Sequence, residues 1–234
     1  DFSKNHPERK RRAISVGIAE ANATDIAAGL AKEGMLPVEG SYAVFSIGRA
    51  LDQLRTTVCY GNFNVLVAAG HAGISVGPDG PTHQATEIYN NVMALPNMSL
   101  VVPCDSIESE KATKELLFNI IGPKTLAFAR EATPIVTKAD TPFVFGNANI
   151  INYAGEEKPN FVEAFSTQLA SEYCKPECVC AHTPESNNPE SKEQPKKDDL
   201  TIISCGPMVA EAMRAAYILK EEYEVMPQDY YNSF

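Results

Sequence analysis

Short apolar runs alternate with longer segments of helical period over about the first 130 residues of the chain. The apolar runs predict strands at residues 13–16, 36–39, 64–69, 99–103 and 125–129. The segments between them carry apolar side chains every three or four positions and predict helices at residues 21–32, 45–59, 86–94 and 106–121. Gly34 and Gly122 stand where two of these helices are expected to end. This alternation indicates an α/β fold of three layers, α/β/α, with a mostly parallel sheet in the middle.

The pattern changes after about residue 142. Residues 160–173 predict one helix, whereas residues 174–199 are rich in Pro, Glu, Lys, Asn and Ser and predict a linker or an exposed insertion. A buried-type strand at 200–205 and an amphipathic helix from Pro207 to about residue 223 follow, and residues 226–231 show no period. We therefore expect a first domain at residues 1–150, a helix and polar linker at 151–198, and the truncated start of a second α/β domain at 199–234.

The chain of 234 residues is 44% hydrophobic and 21% charged, so it can bury a substantial core, and its length suits one full domain plus a fragment or two small domains. Its formal net charge of −10 disfavours nucleic acid and anionic membranes as partners, so an anionic substrate would need a local basic residue. No apolar run approaches the roughly 18 residues of a membrane span, and the cytoplasm is the expected compartment. Cys59, Cys104 and Cys205 lie in separate apolar segments, as reduced core cysteines do.

The candidate chemistry lies where the predicted strands end. In parallel α/β sheets ligands bind beyond the carboxyl ends of the strands, and Glu20, His71 and Arg130 each follow a predicted strand. The segment 70–84 contains His71, Asp79 and His83 among several glycines and prolines. So many constraints on the backbone around so few polar side chains are typical of a fixed loop that faces a ligand.

Each of these residue types also has a purely structural interpretation. A glutamate at a helix entry is favoured by the helix dipole, and Tyr42 and Phe45 have the spacing of core aromatics. A lone histidine is often a satisfied polar group, and an arginine at a strand end most often pairs with a surface carboxylate. Arg49 and Arg55, on the predicted helix 45–59, are expected at the surface or in an interface.

A separate cluster of Cys174, Cys178, Cys180 and His182 lies in the polar segment. Its spacing departs from the common zinc-finger patterns, and no second Cys-x-x-Cys accompanies it. An exposed, reduced insertion is therefore favoured over a metal site, and no metal ligand is assigned to the chain.

Three motifs together carry a family resemblance. Residues 77–84 are Gly-Pro-Asp-Gly-Pro-Thr-His-Gln, residues 17–20 are Gly-Ile-Ala-Glu, and Tyr42 and Phe45 follow the next predicted strand. With these motifs the chain resembles the pyrimidine-binding domain of transketolase, a thiamin diphosphate enzyme, over about residues 7–150. Residues 199–223 resemble the start of the transketolase C-terminal domain. The loop pattern as a whole is far more specific than any one of its residues.

The resemblance implies that Glu20 contacts the aminopyrimidine ring of thiamin diphosphate and activates the cofactor by holding a proton on a ring nitrogen. Such a carboxyl group needs a dry, apolar site. Tyr42 and Phe45 would pack on the same ring, which is flat and apolar on both faces. A further aromatic found in some relatives would fall at Gly48, so the wall of the pocket must differ there.

The other implied residues belong to the substrate side. His71 and Asp79 would bond to sugar hydroxyls near the reacting carbon, and His83 would contact the oxygen on which charge develops. Arg130 would bind the substrate phosphate, for which a guanidinium group is well shaped. Glu20, His71 and His83 are the implied catalytic residues.

The resemblance also implies partners. Enzymes of this family hold Mg2+ and the diphosphate with a Gly-Asp-Gly segment and a later asparagine, and the one Asp-Gly pair here lies inside the substrate loop, at Asp79 and Gly80. We therefore expect a separate diphosphate-binding domain or subunit to supply the Mg2+ ligands, in a homodimer or heterotetramer. Ketol transfer between sugar phosphates is the implied activity, with this chain inactive by itself.

Three alternatives stay open. Deoxyxylulose phosphate synthase shares the cofactor and the motifs around Glu20 and His83 but tends to carry arginine where this chain has His71, so His71 favours transketolase. The β subunit of 2-oxo acid dehydrogenases has the same fold but is not expected to have the loop pattern. A non-catalytic assembly or regulatory subunit is the third alternative, and the intact Glu20, His71, Asp79 and His83 argue against it.

Overall fold

The computed structural model describes residues 5–152, 200–223 and 227–232. A 3-10 helix, Pro7–Arg12, precedes helix α1 (Glu20–Lys32) and strand β1 (Val38–Tyr42). The next helical stretch, which we call α2, has wide π-helical turns at Val44–Arg49 and Leu54–Cys59 on either side of Leu51–Gln53. The elements that follow are β2 (Leu66–Gly70), α3 (Ile88–Met93), β3 (Ser99–Val101), α4 (Ser106–Phe118) and β4 (Lys124–Ala127).

These four strands form one sheet in the order β1-β2-β4-β3, and every neighbouring pair is parallel. Its central strands β2 and β4 are almost wholly buried because side chains cover both faces of the sheet. β2 is a continuous apolar run, whereas β4 begins with the polar residues Lys124 and Thr125. On one face Val67 and Ala69 pack in the same cluster as side chains of α1, α2 and α3. On the other, Leu66 packs with Leu116 of α4. The predicted three-layer α/β/α architecture is therefore confirmed.

A second, three-stranded sheet contains residues from the later part of the chain. Its strands are β5 (Ala148–Asn152), β6 (Leu200–Ser204) and β7 (Pro227–Asn232), and helix α5 (Met208–Tyr223) connects the last two in sequence. The order is β5-β7-β6, with β7 antiparallel to β5 and parallel to β6. The predicted strand and helix at 200–223 are confirmed. Strand β7 was not predicted, because residues 226–231 show no periodic pattern of apolar side chains.

Two predictions at the ends of elements are wrong. Residues 13–16 form no strand, and Ile14 within this range and Ile18 just after it are 60% and 91% exposed, so no sheet edge buries their apolar side chains. Gly34 follows α1 with a left-handed φ of +84°, as a helix-ending glycine does. Gly122 also has a positive φ, but α4 ends earlier, at Phe118, and this glycine lies in the turn before β4 against the side chain of Asn62.

The start of α4 is tied to the segment after β4 by one buried carboxylate. Asp105 Oδ1 accepts from the backbone N–H of Glu108 at 2.8 Å and so caps the helix. Its Oδ2 accepts from the backbone N–H groups of Val136 and Thr137 at 2.8 and 2.6 Å. The chain nine and ten residues after the end of β4 is thus fixed against the start of α4.

The predicted helix at 160–173 and the segment 174–199, with the cluster from Cys174 to His182, lie outside the described residues. Strand β5 spans the predicted domain boundary at residue 150, which stays a prediction. Among the described cysteines, Cys59 and Cys104 are buried free thiols and Cys205 is a partly exposed one. In the described ranges, no helix has the length and apolarity that crossing a membrane requires.

Candidate active site at the carboxyl edge of the sheet

The candidate residues follow three neighbouring strands. Tyr42 ends β1, His71 comes directly after β2, and Arg130 lies three residues after β4. Because parallel strands end at the same edge of the sheet, these side chains share one side of the molecule. The loop after β2 is anchored there, since the backbone N–H of Ala72 donates to Phe128 O at 3.1 Å.

Two aromatic and two imidazole rings form a continuous cluster. His71 stacks on Tyr42 with ring centroids 3.8 Å apart and planes only 9° apart. His83 meets Tyr42 and Phe45 edge to face, with centroids at 5.8 and 5.2 Å. His71 adopts a left-handed φ of +58°, which is uncommon for a residue with a Cβ and turns its ring back onto Tyr42. The rings make a wall, with His83 nearly perpendicular to Tyr42 and Phe45, and the polar atoms of these side chains are the imidazole nitrogens and the Tyr42 hydroxyl.

Glu20 adjoins this wall. It is the first residue of α1, its side chain is only 12% exposed, and its Oε2 accepts from Arg49 Nη1 at 2.9 Å. The guanidinium carbon of Arg49 also lies 4.5 Å from the centroid of the Phe45 ring, in cation–π contact. Arg49 is therefore the link between the carboxylate and the aromatic wall.

A second glutamate lies behind α1. Burial raises the pKa of Glu39 to about 7, against the lowering effect of a hydrogen bond from Thr24. Thr24 Oγ1 lies 3.1 Å from both Glu39 Oε1 and the backbone oxygen of Glu20. The single hydroxyl hydrogen of Thr24 cannot bond fully to both acceptors. If Glu39 is protonated, its carboxyl O–H donates to Thr24 Oγ1 and the Thr24 hydroxyl donates to the backbone oxygen of Glu20, so that each of these three groups has a hydrogen bond. Glu39 Oε2 is buried without a hydrogen-bond partner, which also favours the neutral form.

The rest of the loop after β2 folds into two short 3-10 turns, Gly77–Asp79 and Pro81–His83. Arg130 holds the first of them, because its Nη1 donates to Val76 O and lies 3.7 Å from Asp79 Oδ2. Gly77, with φ +64°, passes so close to this guanidinium that a Cβ there would collide with it. Arg130 is thus bonded to the loop, with about a third of its side chain exposed.

The second turn orients His83. Its Nδ1 lies 2.9 Å from Thr82 Oγ1, which leaves Nε2 as the nitrogen directed away from the turn. The same stretch is closed by a bridge between Gly73 and Ala85 and by a bond from Gln84 Nε2 to Ile74 O at 3.2 Å. These contacts make segment 70–84 the fixed loop that its sequence predicts.

The structure brings all seven candidate residues to one edge, in two groups. The first group is Glu20, Tyr42, Phe45, His71 and His83, which are joined by ring contacts and by Arg49. Asp79 and Arg130 form the second group, within the same loop. Their roles toward a ligand stay predictions.

Sequence reasoning missed Arg49 and Glu39. Arg49 does lie half exposed, as expected of a surface residue, but its partner is Glu20. Its spacing of four residues from Phe45 on a predicted helix was the available signal. Glu39 is the second residue of β1 and lies between the exposed residues Val38 and Gly40, so its sequence neighbours gave no signal of its burial.

The arrangement fits a flat nitrogen heterocycle. Tyr42 and Phe45 offer apolar ring faces, and the sheltered Glu20 carboxyl group beside them can exchange a proton with a ring nitrogen. His71 and His83 add groups that can donate or accept a proton near the same wall. By contrast, no group of three or more His, Cys, Asp and Glu side chains in the described part of the chain is placed to hold a metal ion.

Comparison with known proteins gives consistent matches. The sequence profile of the transketolase pyrimidine-binding domain matches residues 1–135. A putative transketolase C-terminal section of Methanocaldococcus jannaschii is 31% identical over 220 residues, which are 94% of this chain and 55% of that protein. A 1-deoxy-D-xylulose-5-phosphate synthase of Crocosphaera subtropica is 34% identical over 153 residues, 64% of this chain and 24% of the synthase.

The fold also matches a solved structure, a split-gene transketolase described as an inactive β4 tetramer. The two superpose with a TM-score of 0.71 and 28% sequence identity, over all of this chain and 60% of the other. The chain thus spans about half the length of the C-terminal section that it matches and a quarter of the synthase.

Proposed function

The chain belongs to the family of transketolase pyrimidine-binding domains, and from this premise we propose that it forms the aminopyrimidine and substrate side of an active site for ketol transfer between sugar phosphates. The observation that carries the proposal is the group of Glu20, Tyr42, Phe45, His71 and His83 at one edge of the sheet. Thiamin diphosphate, when bound, supplies the nucleophilic carbon and takes up the electrons of the carbon–carbon bond that breaks.

Glu20 is the residue that acts on the cofactor. Its side chain is sheltered at the start of α1, where a proton shared with a weakly basic ring nitrogen is not lost to water. Tyr42 and Phe45 hold the ring by stacking and so fix the angle at which its nitrogen meets the carboxyl group.

His71, His83 and Asp79 act on the sugar. The imidazole of His71 is held in plane by Tyr42, and that of His83 is oriented by Thr82 and two aromatic rings. Each has a nitrogen that donates to a sugar oxygen as negative charge develops there. Asp79 accepts from a sugar hydroxyl and is fixed by the loop and by Arg130.

Arg130 supplies the positive charge that an acidic chain needs to bind a phosphate. A guanidinium group has five N–H donors, and the contacts with Val76 and Asp79 use Nη1. The remaining donors are free to bond to phosphate oxygens without dismantling the loop.

The diphosphate and Mg2+ belong, in this proposal, to a separate domain or subunit. The chain has no Gly-Asp-Gly segment. We propose that a diphosphate-binding partner completes the site, in a homodimer or heterotetramer in the cytoplasm. The likeness to a split-gene transketolase supports this assembly.

The test is an assay of ketol transfer from xylulose 5-phosphate to ribose 5-phosphate with thiamin diphosphate and Mg2+. It is run with this chain alone, with a polypeptide that carries the diphosphate-binding domain, and with both. Turnover only in the mixture supports the proposal. No turnover in a mixture that associates stably would contradict it.

A second candidate function is 1-deoxy-D-xylulose-5-phosphate synthesis, which the identity of 34% with a synthase favours. The same mixture is therefore also supplied with pyruvate and glyceraldehyde 3-phosphate. Synthase turnover without ketol transfer would select the second candidate. A complex that binds thiamin diphosphate but catalyses neither reaction would indicate an assembly or regulatory subunit.

A further inference from the structure

Arg49 contacts two residues that the proposed cofactor needs. Its Nη1 lies 2.9 Å from Glu20 Oε2, and its Cζ lies 4.5 Å from the centroid of the Phe45 ring. The side chain of Glu20 is 12% exposed and that of Arg49 is 51% exposed, so the guanidinium group reaches the carboxylate from the solvent side.

Helix α2 places Arg49 there. Phe45 and Arg49 lie in the π-helical turn Val44–Arg49, in which the N–H of Ala50 donates to Phe45 O, five residues back, at 3.3 Å. Residues four apart on a helix lie on the same face, and the guanidinium therefore stacks over the ring of Phe45 and points toward α1. Both contacts of Arg49 follow from this one turn.

The contacts of Arg49 compete with those of an aminopyrimidine. Arg49 bonds to Oε2 of Glu20 and covers one face of the Phe45 ring, and a ligand ring that packs on Phe45 and bonds to Glu20 needs the same two side chains. A guanidinium group has donors only, so it bonds to a carboxylate that has no proton to give. Glu20 must instead present a proton to the ring nitrogen in its proposed role.

On the function proposed above, we infer that Arg49 is a positioning residue that occupies Glu20 and Phe45 while the pocket holds no cofactor, and that it is displaced when the aminopyrimidine enters. Because half of its side chain is exposed, Arg49 has room to move into solvent. Displacement costs the ion pair and the cation–π contact, so Arg49 weakens and slows the binding of thiamin diphosphate. In return, it keeps Glu20 in place in the empty site.

The experiment measures the dissociation constant of thiamin diphosphate, by calorimetry with Mg2+, for this chain assembled with its diphosphate-binding partner. Arg49→Gln removes the charge, and Arg49→Lys keeps the charge but loses the planar group. We expect Arg49→Gln to bind the cofactor roughly three- to tenfold more tightly than wild type. Arg49→Lys should stay closer to wild type, because it can still pair with Glu20.

Arg55→Gln is the matched control. Arg55 is an exposed arginine of the same helical stretch, and among the described residues it has no salt bridge. Its replacement changes the net charge by the same amount and should leave the dissociation constant unchanged. Thermal unfolding of each variant checks that the fold is intact.

A double-mutant cycle separates positioning from a general structural role. In a Glu20→Gln background the ion pair is already lost, so adding Arg49→Gln should change cofactor affinity much less than it does in wild type. An equal change in both backgrounds would show that Arg49 acts independently of Glu20 and would overturn the inference.

The remaining outcomes distinguish this inference from the proposed function. Wild-type or weaker affinity in Arg49→Gln overturns the role of Arg49 and leaves the proposed function standing. An assembly in which neither wild type nor any variant binds thiamin diphosphate overturns both.

Discussion

Two glutamates on neighbouring elements have opposite surroundings. Glu20 faces the aromatic wall and has the guanidinium group of Arg49 at 2.9 Å. Glu39 lies behind α1, where its neighbours are the hydroxyl of Thr24 and the negative charge of Asp25. One carboxyl group therefore lies beside the candidate ligand site, while burial raises the pKa of the other to about 7.

The proposed role of Glu20 predicts a specific loss in Glu20→Gln. The amide has nearly the same shape but cannot give a proton to the ring nitrogen, so turnover of the assembled enzyme should fall roughly 10²- to 10⁴-fold. The midpoint of thermal unfolding should change little, since the lost partner Arg49 is half exposed. Steady-state ketol transfer and a melting curve check both parts. Wild-type turnover would remove Glu20 from the mechanism.

The raised pKa of Glu39, about 7 against 4.5 for the unfolded chain, predicts a pH-dependent stability. Between these values the folded state binds a proton that the unfolded state has lost, so stability is greatest below the unfolded pKa and falls as pH rises to about 7. The fall is on the order of 3 kcal/mol. Glu39→Gln should flatten this pH dependence and should increase the free energy of unfolding at pH values above 7. Urea unfolding from pH 4.5 to 8 measures both effects.

Glu33→Gln is the control for this measurement. Glu33 is an exposed glutamate at the end of α1. Its replacement should leave the pH dependence of unfolding as in wild type. A Glu39→Gln chain with the same slope as wild type would mean that Glu39 is ionised in the folded state.

The loop after β2 is the element on which the substrate side depends. Its first turn needs Gly77, both for its φ of +64° and for the space taken by the Arg130 guanidinium group. An alanine there has to displace Arg130 as well as adopt a left-handed backbone. We expect Gly77→Ala to raise the KM for the sugar phosphate roughly tenfold or more, while the dissociation constant of thiamin diphosphate stays near wild type.

Gly73→Ala is the matched variant for that prediction. Gly73 belongs to the same loop and has a φ of +80°, but a Cβ there would meet no atom within 4 Å. It therefore carries the backbone strain without the collision. Equal effects of the two substitutions on KM would mean that strain alone is responsible and that Arg130 is not involved.

Strands and helices with local signals were predictable from the sequence. The helices at 21–32 and 106–121 were placed within three residues, because apolar spacing and caps are properties of the segment itself. The start of β4 was missed at Lys124, whose buried amine bonds to Asn64 and to Ile120 O. A buried lysine is not foreseen from composition, since its partners lie in a distant segment and a turn.

β7 and Arg49 were missed for related reasons. β7 is a strand because β5 and β6 lie on its two sides, and the sequence 226–231 has no alternation that would show this. Tyr42, His71 and Arg130, by contrast, came together as expected because they follow parallel strands. Glu20 follows no strand and is linked to this group through Arg49. The pairing of Arg49 with Glu20 joins residues 29 positions apart on separate helices and could only be seen in three dimensions.

At the scale of the whole molecule, the incomplete site predicts that the cofactor stabilises the chain only in an assembly. A ligand that binds the folded complex adds about 2.7 kcal/mol at a concentration of 100 times its dissociation constant. For this chain length that is a rise of about 5–10 °C in the unfolding midpoint. Calorimetry with thiamin diphosphate and Mg2+ should show the rise in the mixture with a diphosphate-binding partner. The same rise in the unfolding midpoint for the chain alone would contradict the proposal that the cofactor site is shared with a partner.

The strand order β1-β2-β4-β3 has a consequence for how the chain folds during synthesis. β4 is the last strand of this sheet to leave the ribosome, yet it takes the inner position between β2 and β3. Until residue 127 has emerged, β3 has no neighbour within its own sheet and one edge of β2 stays open. Nascent chains are therefore most prone to aggregate in the interval between β3 and β4, and a pause in translation there would prolong the exposure of both edges.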